Sequence, residues 1–570
     1  MKNFQVAETF RNIAKILEIK GDNPFRIRAY ERAALNIENL SVDIEDLVKD
    51  DNLKSIPGIG EDLNNKIKEI VNTGKLKFYE DLKKSFPSGL MEILAIPSVG
   101  PKTAKLFYEK LKIKDVLSLE RSAKKGKLIG LPGVKEKTVQ NILEGIELVK
   151  KGRERMNLAE ALRIAQEFVD ALKKLPEVKK ISTAGSLRRM KETVRDIDIL
   201  VTSSDPKKIM DAFVKFPLVK NILAHGETKS SIISKENIQV DLRVVEPKSF
   251  GAALVYFTGS KSFNIKLRQL ALKRKLKINE YGIFDKKEKW LAGISEEEMF
   301  KFLKLEYIVP ELREDRGEIE LAKLNQLPEL LQFQDIRGDF HVHSEWSDGT
   351  NSIEEIAEIA HSRGYEYVVS CDHSQSLKVA NGLSPAELKK KKLEIDKVNK
   401  KYKNFRVLFG TEVDIDSSGN LDYKDEILAN FDIVVAAIHS GFKQSKDQLT
   451  RRIIKACSNK YVNIIAHPTG VLWGTRAAYD LDFDKIFKVA KETNTFLEIN
   501  CFPNRLDLND INAHHAKESG VKLAIGTDSH IIDQLDFMKL GVAVARRGWL
   551  GKKDVINTLS LRELLKAIKK

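Results

Sequence analysis

Long apolar runs are missing from this 570-residue chain, and cysteine is scarce. No stretch of about 18 apolar residues occurs, which excludes a helix spanning a bilayer. Its three cysteines, Cys371, Cys457 and Cys501, stand too far apart for a disulfide framework or a cysteine zinc site. They imply a reducing, cytoplasmic compartment. The first ten residues lack the basic-then-apolar layout of a secretory signal. What is plentiful is charge, at 31% of residues, beside 42% hydrophobic residues that suffice to build cores. At roughly 100–200 residues per domain, about three or four domains are expected.

The net charge is +15, and it is uneven. Residues 1–335 carry about +12 and residues 336–570 about +3. Lysine and arginine concentrate at 121–137, 173–191 and 261–277. Such residues displace counterions from phosphate backbones, so a polyanion is the natural partner. The same surplus alone also suits a lysine-rich solubilising surface.

The first 150 residues read as helical, and they contain a repeat. SIPGIGEDLNNKI (55–67), AIPSVGPKTAKLF (95–107) and GLPGVKEKTVQNI (130–142) share one plan. An apolar residue and a proline lead into a tight turn, then a helix opens with polar residues. Such turns aim backbone N–H groups outward at a helix start, which suits phosphate. One copy is an ordinary loop between helices, whereas three in a basic chain favour sequence-independent DNA contact. The repeats resemble helix-hairpin-helix motifs, with Gly58, Gly60, Gly100, Lys102 and Gly133 as backbone-contact candidates.

From about residue 155 the pattern mixes helix and strand. In AGSLRRMKETVRDIDILV (184–201), Asp196 and Asp198 stand two apart and face one side of a strand. Asp241, on the later strand QVDLRVV, joins them if the strands are neighbours. Three carboxylates on one face repel unless divalent cations neutralise them. Two ions about 3.5–4 Å apart would activate an attacking 3′-hydroxyl and steady a leaving pyrophosphate. Gly185 and Ser186 offer a turn and a hydroxyl for a triphosphate, and Arg188 and Arg189 add charge at the same end.

Residues 184–198 resemble the catalytic signature of the family X DNA polymerases, the polymerase beta-like group. ALVYFTGSKSFNIKLRQLALKRKLKINEYGIF (253–284) resembles that family's nucleotide-selecting subdomain. The resemblance implies that Ser186 and Arg189 hold the triphosphate and that Tyr256, Phe257 and Gly259 line the sugar pocket. It implies that Asn264 reaches the incoming base and Arg268 the template strand. GETK (226–229) makes Thr228 and Lys229 candidates for primer phosphate contact. Gln239 and Lys261 depart from the family pattern. In the first domain the resemblance puts Lys66 at a Schiff-base lyase position. Asp62 stands at a neighbouring basic position and Arg26 where another lysine would be, and losing cationic neighbours weakens the lowering of a lysine pKa that a Schiff base needs.

After Arg337, short β-branched runs alternate with amphipathic helices, as in a parallel α/β barrel. Six runs lead into a metal-ligand type: DFHVHSEWSDGT, YVVSCDHS, VLFGTEVDI, IVVAAIHS, VNIIAHPTG and LAIGTDSH. The C-terminal ends of barrel strands converge on one mouth, so distant ligands meet there. A lone histidine at a strand end is more often structural; six such ends point to metal. The candidates are His341, His343, Asp348, His373, Glu412, His439, His467, Asp528 and His530, enough for several ions. His361, His514, His515 and His225 are read as non-ligands. The array resembles the PHP (polymerase and histidinol phosphatase) domain, which implies a distorted (β/α)7 barrel over three zinc or manganese ions. Glu412 is the candidate bridging carboxylate, and Arg505 is a candidate for the substrate phosphate.

The expected architecture is multidomain α+β and α/β. A helical helix-hairpin-helix domain (1–150) precedes a polymerase beta-like nucleotidyltransferase palm (151–245) and a nucleotide-selecting subdomain (246–315). A linker (316–335) leads to the PHP barrel (336–570). The resemblances imply gap filling in base excision repair, with Mg²⁺ or Mn²⁺ at the polymerase site. They also imply 3′→5′ exonuclease, abasic-site endonuclease or 3′-phosphoesterase activity. Partners would be gapped or nicked double-stranded DNA and dNTPs, with no membrane and a monomeric chain. A barrel acting only as scaffold conflicts with its full ligand set. An RNA-directed terminal transferase conflicts with the hairpin repeats and with YFTGS.

Overall fold

The computed structural model describes residues 2–38, 44–56, 58–84, 89–94, 96, 99–153 and 155–569. Two small helical cores open the chain. The first packs Lys2–Lys20, Pro24–Glu38 and Glu61–Thr73 around Phe10, Tyr30 and Ile67. The second packs Pro101–Leu111, Val116–Lys124 and Glu136–Arg153 around Phe107, Leu119 and Ile142. The three repeats lie at the starts of Glu61–Thr73, Pro101–Leu111 and Glu136–Arg153. Gly58 and Gly133 take left-handed turns at φ +80° and +77°, where a side chain is strained. Pro57, Pro97 and Ser98 of the first two repeats lie outside the described residues.

The next unit is a five-stranded sheet of β1 (Val178–Thr183), β2 (Asp196–Ser203), β3 (Val219–His225), β4 (Lys229–Ser234) and β5 (Gln239–Val245). The order is β1-β2-β5-β4-β3, with only β2 and β5 parallel. Strands β2 and β5 bury the apolar half of an alternating pattern (Ile197, Ile199, Val240, Leu242) against helix Leu158–Lys173. The polar half, which includes the aspartates, is left on the other face. Helices Phe250–Thr258 and Lys261–Lys273 follow, with a small antiparallel sheet and helix Glu296–Phe302 around Phe263, Phe300 and Leu303.

The 316–335 stretch, expected as a linker, is packed structure. Helix Glu318–Leu324 sets Ile319 and Ala322 into the core of the preceding unit, where Leu330 and Trp549 join them. The stretch's Glu- and Leu-rich composition with Pro328 reads as a linker, but Ile319, Ala322 and Leu330 are buried. Just before it, Arg313 is fully buried and pairs with Glu296 at 2.7 Å.

The last unit is a ring of seven parallel strands: β6 (Gly338–Val342), β7 (Tyr367–Ser370), β8 (Arg406–Asp414), β9 (Ile433–Ala437), β10 (Ile464–Ile465), β11 (Phe496–Asn500) and β12 (Leu523–Gly526). They run in sequence order, and a bridge from Val342 to Ser529 closes the ring. The strands are buried on both faces, as helix-covered parallel strands must be, and hence read as continuous apolar runs. Several covering helices open on Ser-x-x-Glu/Gln capping boxes, at Ser352/Glu355, Ser384/Glu387 and Ser445/Gln448. Sheet and barrel share one hydrophobic core. No helix among the described residues is long and apolar enough to cross a membrane.

Candidate active sites

The register of the parallel pair β2 and β5 sets Asp198 opposite Asp241 and Asp196 opposite Gln239. The three aspartates therefore share one sheet face, as the spacing predicts. Burial, then Asp196 and Asp241, push the Asp198 carboxyl up to about 7, against the pull of Arg243 and Lys229. A carboxylate held so high by burial and like charges fits a site for divalent cations, which would restore its ionised form. Lys229 Nζ stands 3.7 Å from Asp241 Oδ2, and Gln239 Nε2 donates to Asp241 Oδ1 at 2.8 Å. Gly185 sits against Asp198: at φ +64° it has no room for a Cβ, which would fall 2.5 Å from Asp198 Oδ2.

The two signature arginines divide their work. Arg188 forms a two-pronged pair with Glu296, at 2.8 and 2.6 Å, and donates to Thr258 Oγ1. Its charge is consumed between sheet and neighbouring unit, which corrects the reading of both arginines as triphosphate charge. Arg189 donates through Nε to Glu314 (3.0 Å) and through Nη1 to the Thr258 carbonyl (2.5 Å). Its guanidinium lies against Gly259, where a Cβ would come within 3.3 Å of Nη1. Ser186 is half-buried on the short helix Gly185–Arg188.

Tyr256 and Phe257 meet edge to face at 5.0 Å, and the Arg243 guanidinium lies 4.3 Å above Phe257. Asn264 Nδ2 donates to the Tyr256 carbonyl at 2.7 Å, and Arg268 Nε to the Asn264 carbonyl at 3.2 Å. A cavity of about 590 Å³ opens beside this group, lined by Thr228, Lys229, Arg243, Phe257, Tyr281 and Trp290. In the helical region Gly60 and Gly100 stand as extended caps before their helices, and Lys102 is exposed. Lys66 is ion-paired to Asp62 and lies 5.5 Å from the Tyr30 ring. Burial pulls its pKa down, but Asp62 and Tyr30 outweigh it and leave the ammonium raised. That is opposite to what a Schiff-base amine needs.

All nine expected ligands meet at the barrel mouth. Four of them, His343, Asp348, His373 and His530, form one group of mutually close ligand atoms; His341, His343 and Asp528 form a second; His373, Glu412 and His439 form a third. Glu412 is central. Its Oε1 lies 2.8 Å from His467 Nε2 and 3.3 Å from His439 Nε2; its Oε2 lies 2.9 Å from His373 Nδ1 and 3.5 Å from His341 Nε2. His343 Nε2 is 3.2 Å from Asp528 Oδ1, and Asp348 Oδ2 is 3.5 and 3.4 Å from His373 and His530.

These spacings test the fit to metal. Two donors each about 2.1 Å from a shared ion stand about 3–4 Å apart. The buried His341 Nε2, both ring nitrogens of His343 and His373 Nδ1 make no hydrogen bond among the described residues, despite the neighbouring carboxylates. Buried polar atoms normally find a partner, so this set fits cation ligands. Burial pushes Glu412 and Asp528 up, but the surrounding imidazoles, His439 and His373 for Glu412 and His341 and His343 for Asp528, hold both well below the usual carboxylate range. Arg505 points inward, with Nε 3.5 Å from Asp528 Oδ2 and a buried Nη1 without a hydrogen bond among the described residues. His361, His514 and His515 lie outside these groups, and His225 pairs with Asp211 at 2.8 Å.

Sequence reasoning missed the shell behind the ligands. Glu498 on β11 accepts from His341 Nδ1 at 2.7 Å and from the His467 backbone N–H at 2.7 Å. A donor–acceptor pair of this kind fixes which imidazole nitrogen faces a metal. Asp414 stands 3.3 Å from His439 Nδ1, and Asn500 donates to Asp528. Asp372 accepts from Ser344, Ser347 and Lys391 and so anchors the loop that carries Asp348. The available signal for Glu498 was an acid inside the apolar run TFLEIN.

Comparison with known proteins follows this division. Residues 253–314 match the DNA polymerase beta thumb and residues 339–501 the PHP domain. Residues 1–76 match a helix-hairpin-helix domain and residues 90–147 a SAM-like helix-hairpin-helix tandem. The chain is 41% identical over 567 residues to "DNA polymerase/3'-5' exonuclease PolX" of Bacillus subtilis (strain 168), covering 99% of each. It is 31% identical over 231 residues to a "Probable phosphatase" of Thermoanaerobacter sp. (strain X514), 39% of this chain and 89% of that protein. DNA polymerase lambda of Rattus norvegicus shares 24% over 344 residues, 55% of this chain and 56% of its own.

Proposed function

This chain belongs to the family X DNA polymerases that carry a C-terminal PHP domain. From that premise we propose that it fills short gaps during base excision repair at one site and processes phosphoester ends at another. The observation that carries the polymerase half is the aspartate triad on one sheet face, with Asp198 raised by burial and then by its two neighbours. Asp196, Asp198 and Asp241 would hold Mg²⁺ or Mn²⁺, which when bound would supply activation of the primer hydroxyl and neutralisation of the pyrophosphate. Gly185 gives the approach, and Ser186 and Arg189 bind the triphosphate. Tyr256, Phe257 and Gly259 border the sugar. Asn264 and Arg268 read the nascent pair and the template, with Thr228 and Lys229 on the primer phosphate. The hairpin turns at Gly58, Gly60, Gly100 and Gly133, with Lys102, hold the flanking duplex by its backbone.

In the PHP half the nine ligand residues, with Glu412 at their centre, would hold three zinc or manganese ions. The ions supply Lewis acidity to a phosphodiester and its attacking water. Arg505 pairs with the phosphate and Glu498 sets the His341 tautomer. The reaction is 3′→5′ exonuclease, with abasic-site cleavage or 3′-phosphate removal as uses of the same chemistry. The working species is a cytoplasmic monomer on gapped or nicked DNA. The division taken is a helical DNA-binding part (1–150), a palm (151–245), a nucleotide-selecting part (246–315) and a PHP part (336–570), with 316–335 as connector.

The test is a one-nucleotide-gapped duplex with a labelled primer and Mn²⁺. With dNTPs the primer lengthens by one nucleotide; without them a single strand shortens from its 3′ end. Absence of extension overturns the polymerase reading, and absence of shortening overturns the exonuclease reading.

A further inference from the structure

The chain ends its last long helix, Met538–Arg547, on two arginines, and the second has no exposed side-chain surface. Arg547 belongs to the PHP domain, yet Nη1 donates to the backbone carbonyl of Arg189 at 2.5 Å. Nη2 donates to Asp510 Oδ2 at 2.6 Å and lies 3.0 Å from Glu314 Oε1. That same Glu314 oxygen accepts from Arg189 Nε at 3.0 Å. Asp510 is 1% exposed and also takes Arg316 at 2.9 Å. Arg189 is therefore held twice from outside the palm, at its carbonyl by Arg547 and at its side chain by a carboxylate that Arg547 shares.

We propose that Arg547 is a positioning residue for nucleotide incorporation, through which the PHP domain sets the aim of Arg189 at the incoming triphosphate. With Nε on Glu314 and Nη1 on the Thr258 carbonyl, Arg189 Nη2 makes no hydrogen bond among the described residues. It is the end left to meet an anion. The residue after Arg189, Met190, sits in the left-handed region at φ +53°. A turn that a non-glycine residue adopts reluctantly needs its neighbours held. Arg547 supplies that hold at the preceding carbonyl. A guanidinium fixed before the nucleotide arrives loses less side-chain freedom on binding, so losing the clamp weakens binding more than it slows chemistry. The PHP domain then has two roles, hydrolysis at its mouth and support of the polymerase site from its far helix.

This rests on the reading of Arg189 as a triphosphate ligand, and the test separates the two. Full-length Arg547→Lys, Arg547→Ala, Glu314→Gln and Arg189→Ala are assayed for steady-state insertion into one-nucleotide-gapped DNA and for 3′→5′ degradation of a single strand. Arg547→Lys keeps a charge for Asp510 but lacks the fork that reaches both Glu314 and the Arg189 carbonyl. It and Glu314→Gln should raise KM for dNTP about tenfold with kcat little changed. Degradation should stay at the wild-type rate. An unchanged KM for dNTP in Arg547→Lys and Arg547→Ala, with degradation intact, overturns the proposal. So does an equal fall in both activities, which marks a purely structural contact. If Arg189→Ala leaves KM for dNTP unchanged, the triphosphate reading fails and the proposal with it.

Discussion

Glu498→Gln changes one atom in a buried shell and should loosen metal at the PHP site without touching polymerisation. The carboxylate is 1% exposed and uses both oxygens: Oε1 accepts from His341 Nδ1, Oε2 from the His467 backbone and from Asn500 Nδ2. Every partner is a donor, so a glutamine amide must turn its NH₂ toward one of them. If it faces His467, two N–H donors oppose each other. If it faces His341, the ring must accept at Nδ1 and carry its proton on Nε2, the atom aimed at Glu412 and Asp528. Gly526 packs so closely that a Cβ there would fall 2.4 Å from Glu498 Oε1, so the side chain has little space to move. A buried unpaired donor costs about 1–3 kcal/mol, and loss of such a supporting carboxylate lowers metal affinity about 10- to 100-fold. The assay is a Mn²⁺ titration of single-strand degradation, with gap filling measured in parallel. The half-saturating Mn²⁺ should rise by that factor while gap filling stays within about twofold. A titration curve overlying the wild type refutes the tautomer argument.

Two further predictions concern ion pairs. Burial raises the Glu296 carboxyl, but Arg188 and Arg313 outweigh it and bring it down from 4.5 to about 2. A depressed folded-state pKa contributes stability that is full above about 4.5 and is lost as pH falls through 4.5 toward 2. The contribution is about 3 kcal/mol, and denaturant unfolding of Glu296→Gln should show a flatter loss across that window; an identical slope to wild type contradicts it. Asp62 holds the Lys66 ammonium charged. Borohydride trapping to 5′-deoxyribose phosphate DNA should be weak in the wild type and stronger in Asp62→Asn, and equal trapping rejects that role for the pair.

The barrel site was legible because each ligand stands in or just after an apolar strand, where one mouth gathers residues as distant as His341 and His530. The aspartate triad was legible for a similar reason: alternate residues of a strand share a face, and Asp241 needed only parallel pairing of its strand with β2. What escaped depended on partners far away in sequence. Nothing in a pair of adjacent arginines tells which one a glutamate 108 residues on will neutralise, and Arg188 was that one. Glu498 lies inside its strand and behind the ligands, so the pattern of ligands at strand ends passes over it. The 316–335 stretch, rich in Glu and Leu and holding Pro328, read as a linker, while Ile319 and Ala322 decide its packing.

Two separate catalytic centres on one chain are tested most directly by single-site variants given a substrate for each centre. Asp198→Ala and His341→Ala chains are each given labelled, one-nucleotide-gapped DNA with dNTPs and Mn²⁺, then labelled single strand without dNTPs. Asp198→Ala should shorten the single strand but no longer fill the gap, and His341→Ala should do the reverse. Degradation that survives both His341→Ala and His439→Ala, or gap filling that survives Asp198→Ala, contradicts two separate centres.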